Sequence, residues 1–349
     1  MKKLSFYFFI VLSIILINIG CSKKSATQMI TTVDTAVTQK NLDTTTVAGG
    51  NGAGSAANQI SSPGGIYVDK GNNIYVTDLT NNRVQKWIAG SDSGITIAGG
   101  NGAGAAANQL NLPVGVWLDS SGNVYVSDYN NARIQKFPPG STSLTSGITA
   151  AGGNGPGSAA NQINGVEYIF IDGTGNLYTG DNGNERLQKF PPNSSSSTNG
   201  ITVAGGNGAG IAPNQFHDLG AIITDANGNI YVDDVLNARI QKFPAGSTST
   251  TNGVTVAGGN GLGSAANQFD NPFGLAVDSN GNIYVADSYN DRVQKWAVGA
   301  TMGITIAGGT KGSAYNQLNQ PSAVFLDASG NNLYIADALN HRIQKWQLK

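Results

Sequence analysis

One segment, Arg-x-Gln-Lys-aromatic, comes round six times, with its arginines at Arg83, Arg133, Arg186, Arg239, Arg292 and Arg342. The intervals are 50, 53, 53, 53 and 50 residues. The first glycine of an Ala-Gly-Gly segment keeps the same intervals at Gly49, Gly99, Gly152, Gly205, Gly258 and Gly308. A fixed period of this size overrides local readings of secondary structure, because each unit is too small to bury its own apolar face and must stack on copies of itself. The longer units gain their extra residues in Ser/Thr-rich stretches such as 138–147 and 191–200, which read as surface loops that tolerate length change.

Each unit holds four short β-like runs separated by turn residues. In the fifth they are 273–278, 283–287, 292–296 and 254–257, the last with its later equivalent at 304–307. Ser279-Asn280-Gly281-Asn282 joins the first two as a Gly-containing hairpin. Ile283-Tyr284-Val285-Ala286 is apolar on both faces, as required of a sheet covered on both sides by neighbouring sheets. Radially stacked four-stranded sheets meet that demand, so the expected fold is all-β, a six-bladed β-propeller. The last unit ends after its third run, and Thr-Thr-Thr-Val-Ala-Gly-Gly at 44–50 matches the missing fourth. Residues 44–49 are therefore expected to complete the last blade and remove an exposed edge.

Ahead of the repeats, Met1-Lys2-Lys3 precedes an almost wholly apolar run at 4–19 and then Gly20-Cys21-Ser22. This is the layout of an export signal, and the run falls short of the roughly twenty residues a spanning helix needs. Cys21, the single cysteine, sits where the segment resembles the lipobox of a bacterial lipoprotein, with Asn18 in the place that usually carries Leu. The expectation is a signal peptide at 1–20, an acylated Cys21 opening a tether at 21–43, and a propeller at 44–349. The tether is polar and aperiodic, with a reach of about 25 Å as a flexible coil. The reading places the protein in the cell envelope, exported, as a monomer that touches the membrane only through its lipid. Ser22-Lys23-Lys24 has no acid after the cysteine and favours the outer membrane. A lone cysteine allows no internal disulfide, so the core must stabilise the domain.

Charged residues make up 12% of the chain and the formal net charge is −1. No basic block stands out, which excludes electrostatic capture of nucleic acid.

Residues 272–295 carry the pattern Pro-x-Gly-(x)3-Asp-x-x-Gly-Asn-x-Tyr-Val-x-Asp-x-x-Asn-x-Arg-Ile/Val-Gln-Lys in full. It resembles the NHL repeat, and the resemblance covers about residues 44 to 349. NHL propellers that bind RNA act where RNA is found, which an exported chain does not reach. The amidating lyases of this fold use several His on zinc, whereas this chain has two His in all. His341 stands where NHL repeats commonly carry His and reads as structural.

Six Asp–Arg pairs, Asp78/Arg83, Asp128/Arg133, Asp181/Arg186, Asp234/Arg239, Asp287/Arg292 and Asp337/Arg342, each span a tight turn. A catalytic carboxylate would be unique, so six equivalent copies read as structural ion pairs. The Gly-rich stretches such as 99–104 lack the Lys-Ser/Thr of a P-loop and read as flexible interblade loops using Gly for positive φ. Asp278-x-Asn280-Gly281-Asn282 lacks the bidentate acid of a calcium loop and reads as a hairpin turn.

Function is then expected where the repeat breaks. The third unit has Asn164, Glu167 and Tyr168 in place of Pro-x-Gly, the fourth has His217 and Asp218, and Asp233 stands where the other units have Thr77, Ser127, Gly180, Ala286 and Ala336. These six are expected on one face at the channel mouth, across two adjacent blades, as a polar ligand site. The expected function is a cell-envelope binding or scaffolding module that presents this face to a protein or glycan. The alternative is a metal-dependent hydrolase, lactonase or lyase with Glu167, Asp218 and His217 around a cation. Six-bladed lactonases hold calcium at the channel with Glu, Asn and Asp, which leaves calcium as the one cofactor the reading keeps open.

Overall fold

The computed structural model describes residues 44–348. The segment at 1–20, Cys21 and the tether through residue 43 lie outside the described residues. Within them the chain forms six four-stranded antiparallel sheets. Blades 1 to 5 span 63–99, 113–152, 166–205, 219–258 and 272–308. Blade 6 joins Pro321–Leu326, Asn332–Asp337 and Arg342–Gln347 to Thr44–Gly49, with Thr44 opposite Trp346 and Gly49 opposite Arg342.

The first strands of the blades pack on one another in turn, and that of blade 6 packs on that of blade 1, so the blades form a closed ring around a channel. Close approach of blades 1 and 2 to the blades that follow them requires glycine here. A Cβ on Gly65 would lie 2.8 Å from the carbonyl oxygen of Val114, and one on Gly115 would lie 2.8 Å from that of Glu167. This is the physical content of the Pro-x-Gly that opens the repeat.

The core lies between blades. Val76 and Trp87 of blade 1 pack with Tyr334 and Ile343 of blade 6, and Leu187 of blade 3 packs with Phe216 and Phe243 beside blade 4. The aromatic at or next to the end of each third strand, Trp87, Phe137, Phe190, Phe243, Trp296 or Trp346, is buried. Burying each of these side chains contributes about 1.5–3 kcal/mol.

Each hairpin after the first strand is organised by an aspartate. Asp278 accepts the N–H groups of Asn280 and Asn282 at 2.9 Å through one oxygen and the Asn282 side-chain amide at 2.8 Å through the other. Four of these carboxyls, Asp172, Asp225, Asp278 and Asp327, are held below the usual range, because such donors outweigh their partial burial.

The Gly-rich segments follow a path that side-chain amides help to set. Asn51 donates its side-chain amide to Asn58 O at 2.9 Å, and Gln59 donates back to Asn51 O at 3.1 Å. Asn101 with Gln109, Asn154 with Gln162, Asn207 with Gln215, and Asn260 with Gln268 close the loops of blades 2 to 5 in the same way. Glycine supplies the positive φ these turns need, as at Gly49, Gly50 and Gly52, and the amide side chains then fix the path.

Candidate functional site

The six aspartates that end the second strands are fully buried. Each accepts the Nε–H of its arginine at 2.6–2.8 Å. Each also accepts the side-chain amide of the Asn in Asn-x-Arg. A third donor is a backbone N–H from the entry to the first strand, supplied by Ser61, Asn111, Asn164, His217, Asp270 or Asn319. Burial pushes all six carboxyls above the usual range, against the pull of these donors. The guanidinium continues outward: Arg83 donates to the carbonyls of Ser55, Ala56 and Gln59, tying the Gly-rich loop to the blade.

Two of the candidate residues therefore share a main-chain role with every other unit. Asn164 and His217 keep the backbone bond to the blade aspartate; Asn164 repeats the Asn111 and Asn319 of blades 2 and 6, contrary to the expectation that it breaks the repeat, and of the two only the His217 side chain has no counterpart. Asn164 is exposed, and His217 and Asp218 are half-buried at the rim.

Asp218 lies at the seam of blades 3 and 4 in a network that sequence reasoning did not single out. Asn182 donates its side-chain amide to Asp218 Oδ1 at 2.8 Å and to Leu219 O at 2.9 Å. The Asp218 N–H donates to Glu185 Oε2 at 2.8 Å. Glu185 occupies the left-handed position just before the arginine, with φ near +50°. Three counterparts latch onto the next blade likewise: Asn82 Oδ1 accepts from Leu112 N, Asp291 Oδ1 from Gln320 N, and His341 Nδ1 from Ser62 N. Burial lowers the His341 pKa, in keeping with a neutral ring that accepts at Nδ1. The available signal was positional: Asn182 stands where the other blades have Leu79, Tyr129, Val235, Ser288 and Ala338.

The remaining three candidates are buried. Glu167 and Tyr168 lie in the first strand of blade 3, where the Glu167 carbonyl oxygen accepts the Ser127 hydroxyl of blade 2. Tyr168 takes the place of Gly65, Gly115, Ala221, Gly274 and Ala323. Its hydroxyl donates to Ser322 O of blade 6, directly across the ring, at 2.6 Å. The Ser322 hydroxyl lies 2.8 Å from Pro63 O and 3.1 Å from Gly64 O of blade 1. The Tyr168 ring also packs on Phe273 of blade 5 at 5.5 Å. A strut thus crosses the channel.

Asp233 belongs to the second strand of blade 4 and is fully buried. Its carboxyl is pushed well above the usual carboxylate range by burial and by the nearby charges of Asp234 and Asp287, opposed by the Ala221 N–H. The six candidates do not share one face as expected: Asn164, His217 and Asp218 sit at the rim, Glu167 and Asp233 are buried in the blade walls, and Tyr168 crosses the channel. Among the described residues, no group of three or more His, Cys, Asp or Glu is placed to hold a metal ion. Glu167, Asp218 and His217 accordingly do not form the cation site that the metal-dependent reading requires.

The NHL repeat profile matches residues 61–87, 110–137 and 269–296. No curated protein matches the chain. Among solved structures, a gluconolactonase from Xanthomonas campestris is 12% identical with a TM-score of 0.61, over 92% of this chain and 94% of that one. An auxiliary nutrient binding protein from Bacteroides ovatus is 13% identical with a TM-score of 0.63, over 88% of this chain and 77% of that one. Virginiamycin B lyase from Staphylococcus aureus is 11% identical with a TM-score of 0.54, over 88% of this chain and 99% of that one. At these identities the likeness is one of fold, and the activities differ among the neighbours themselves. The repeat matches on blades 1, 2 and 5, with six blades cut to one pattern, support placing the chain among the NHL-repeat β-propellers.

Proposed function

We propose that the protein is a binding or scaffolding module of the cell envelope that presents a propeller face to a protein or glycan, rather than an enzyme. The observation that carries this reading is the Tyr168–Ser322 strut, which crosses the channel where a propeller enzyme would need an open catalytic pocket. Of the candidate residues, those left at the rim are Asn164, His217 and Asp218, all polar and, among the described residues, none in a metal-binding group. The test uses the purified full chain against arrays of envelope glycans and proteins, with lactone turnover assayed in parallel. The expected result is saturable binding, weakened at least tenfold by Asn164→Ala together with His217→Ala, and no turnover. Lactone hydrolysis abolished by a chelator and by Glu167→Gln would overturn the reading and install the metal-dependent alternative.

The proposal extends to the tether. Acylation of Cys21 would hold the domain at the outer membrane as a monomer. Cys21→Ser is expected to abolish incorporation of labelled palmitate and move the protein from the membrane to the soluble fraction. Membrane association unchanged in that variant would rule the anchor out.

A further inference from the structure

The channel has a second end, where the first strands run into the hairpins. Two residues before each hairpin aspartate, the blades carry Tyr67, Trp117, Phe170, Ile223, Ala276 and Phe325. Four are aromatic and touch one another: Tyr67 to Trp117 at 5.1 Å, Tyr67 to Phe325 at 5.1 Å, Trp117 to Phe170 at 4.8 Å and Trp117 to Phe325 at 5.8 Å. The other two, Ile223 and Ala276, lie on adjacent blades. Their gaps merge into a single cavity of about 100 Å³, lined by Trp117, Ile223, Ala276 and Phe325 and reaching inward to Tyr168.

This cavity has a definite chemistry. Its lining includes no charged side chain. The Tyr168 hydroxyl in it already donates to Ser322 O. Tyr67, Trp117, Ile223 and Phe325 are only partly buried, so the cavity opens to solvent at the hairpin end. Apolar cavities on this scale accept benzene-sized guests. Aromatic walls favour an aromatic guest, because offset and edge-to-face contacts add about 0.5–1.5 kcal/mol per pair beyond burial. A carboxylate or ammonium would enter without a counter-charge, and a sugar would lose its hydroxyl hydration without matching partners.

We propose that this end of the channel is a binding site for a small uncharged aromatic ring, seated over Ala276 and Ile223 against Trp117 and Phe325. It lies at the opposite end of the first strands from the rim face and is independent of what that face binds.

The test titrates the full chain with phenol, benzoate and glucose, followed by tryptophan fluorescence and ligand-detected NMR. Trp117 is the reporter, since Trp87, Trp296 and Trp346 are buried. Phenol is expected to bind saturably with a Kd of about 1 mM or tighter, benzoate at least tenfold more weakly, and glucose not at all. Ala276→Phe places in blade 5 the ring that blades 3 and 6 already carry, and is expected to abolish phenol binding. Because this variant is subject to folding failure, Ile223→Phe fills the same space from blade 4, and near-UV circular dichroism confirms the fold of each. Absence of saturable phenol binding, equal affinity for benzoate, or undiminished binding in a folded filling variant would each overturn the proposal.

Discussion

Arg186→Ala is expected to destabilise the propeller by about 3–5 kcal/mol at neutral pH, the cost of stranding one partner of a buried ion pair. Arg186 donates its Nε–H to Asp181 at 2.7 Å and a terminal N–H to Ala159 O at 2.9 Å and Gln162 O at 3.1 Å. Truncation therefore removes the charge opposite a fully buried carboxylate and releases the loop that the guanidinium holds. Burial already raises the Asp181 pKa, and Arg186 is one of the groups that pull it down. Without Arg186 the folded-state pKa rises further above the unfolded value. A group raised in this way contributes most at low pH and loses its contribution as pH rises through the folded pKa. The variant should thus recover part of its stability between pH 8 and pH 5. Urea midpoints of both proteins at the two pH values check this. A loss below about 1 kcal/mol would put Arg186 with the exposed ion pairs that contribute little. Arg186→Lys keeps the charge without the fork and should fall between.

The fold was legible because every unit repeats the same punctuation. Strands read from sequence at 283–287 and 292–296 are Ile283–Asp287 and Arg292–Trp296, and the run at 273–278 is Pro272–Val277, one residue earlier. Repetition also separated the shared aspartates from the residues that depart from the pattern. It did not report where a departing side chain goes. Tyr168 and Ser322 are 154 positions apart, and only ring closure makes them partners. Glu185 and Asn182 passed as ordinary turn residues because their partner, Asp218, belongs to the next blade. In the Gly-rich loops composition pointed to the positive φ of glycine but not to the bonds between an Asn and a Gln eight residues on that help set their path. What a single sequence hides here is contact between units, since a repeat announces its own interior and is silent about its neighbour.

Asp233→Thr is expected to stabilise the protein at pH 8 by about 1–3 kcal/mol, the usual penalty of a buried polar group without adequate partners. The equivalent positions on blades 1 and 2 carry hydroxyls that stitch one blade to the next. Thr77 accepts the Gly65 N–H at 2.8 Å and donates its hydroxyl to Val114 O of the next blade at 2.7 Å. Ser127 accepts the Gly115 N–H and donates to Glu167 O in the same way. Asp233 occupies that place in blade 4: a Cβ on Gly220 would lie 2.9 Å from Asp233 Cβ and 3.4 Å from Phe273 O of blade 5. A carboxylate has no proton to give a carbonyl, so an ionised Asp233 leaves the seam between blades 4 and 5 unstitched. A neutral carboxyl restores a donor, and the raised pKa follows that preference. The sign of the linkage is fixed by the direction of the shift. With the folded pKa above the unfolded value, Asp233 supports the fold fully below about pH 4. That support is lost as pH rises toward the folded pKa, at up to about 1.4 kcal/mol per pH unit. Threonine supplies the hydroxyl at every pH, so the advantage of the variant should widen from pH 5 to pH 8 while the other aspartates titrate alike in both proteins. Asp233→Asn separates the two effects: it removes the titration without supplying the hydroxyl, and should share the flatter pH dependence with less of the gain. Parallel stability curves for wild type and Asp233→Thr across that range would mean that Asp233 is already ionised in the folded protein at pH 5, and that something other than its own proton holds blades 4 and 5 together.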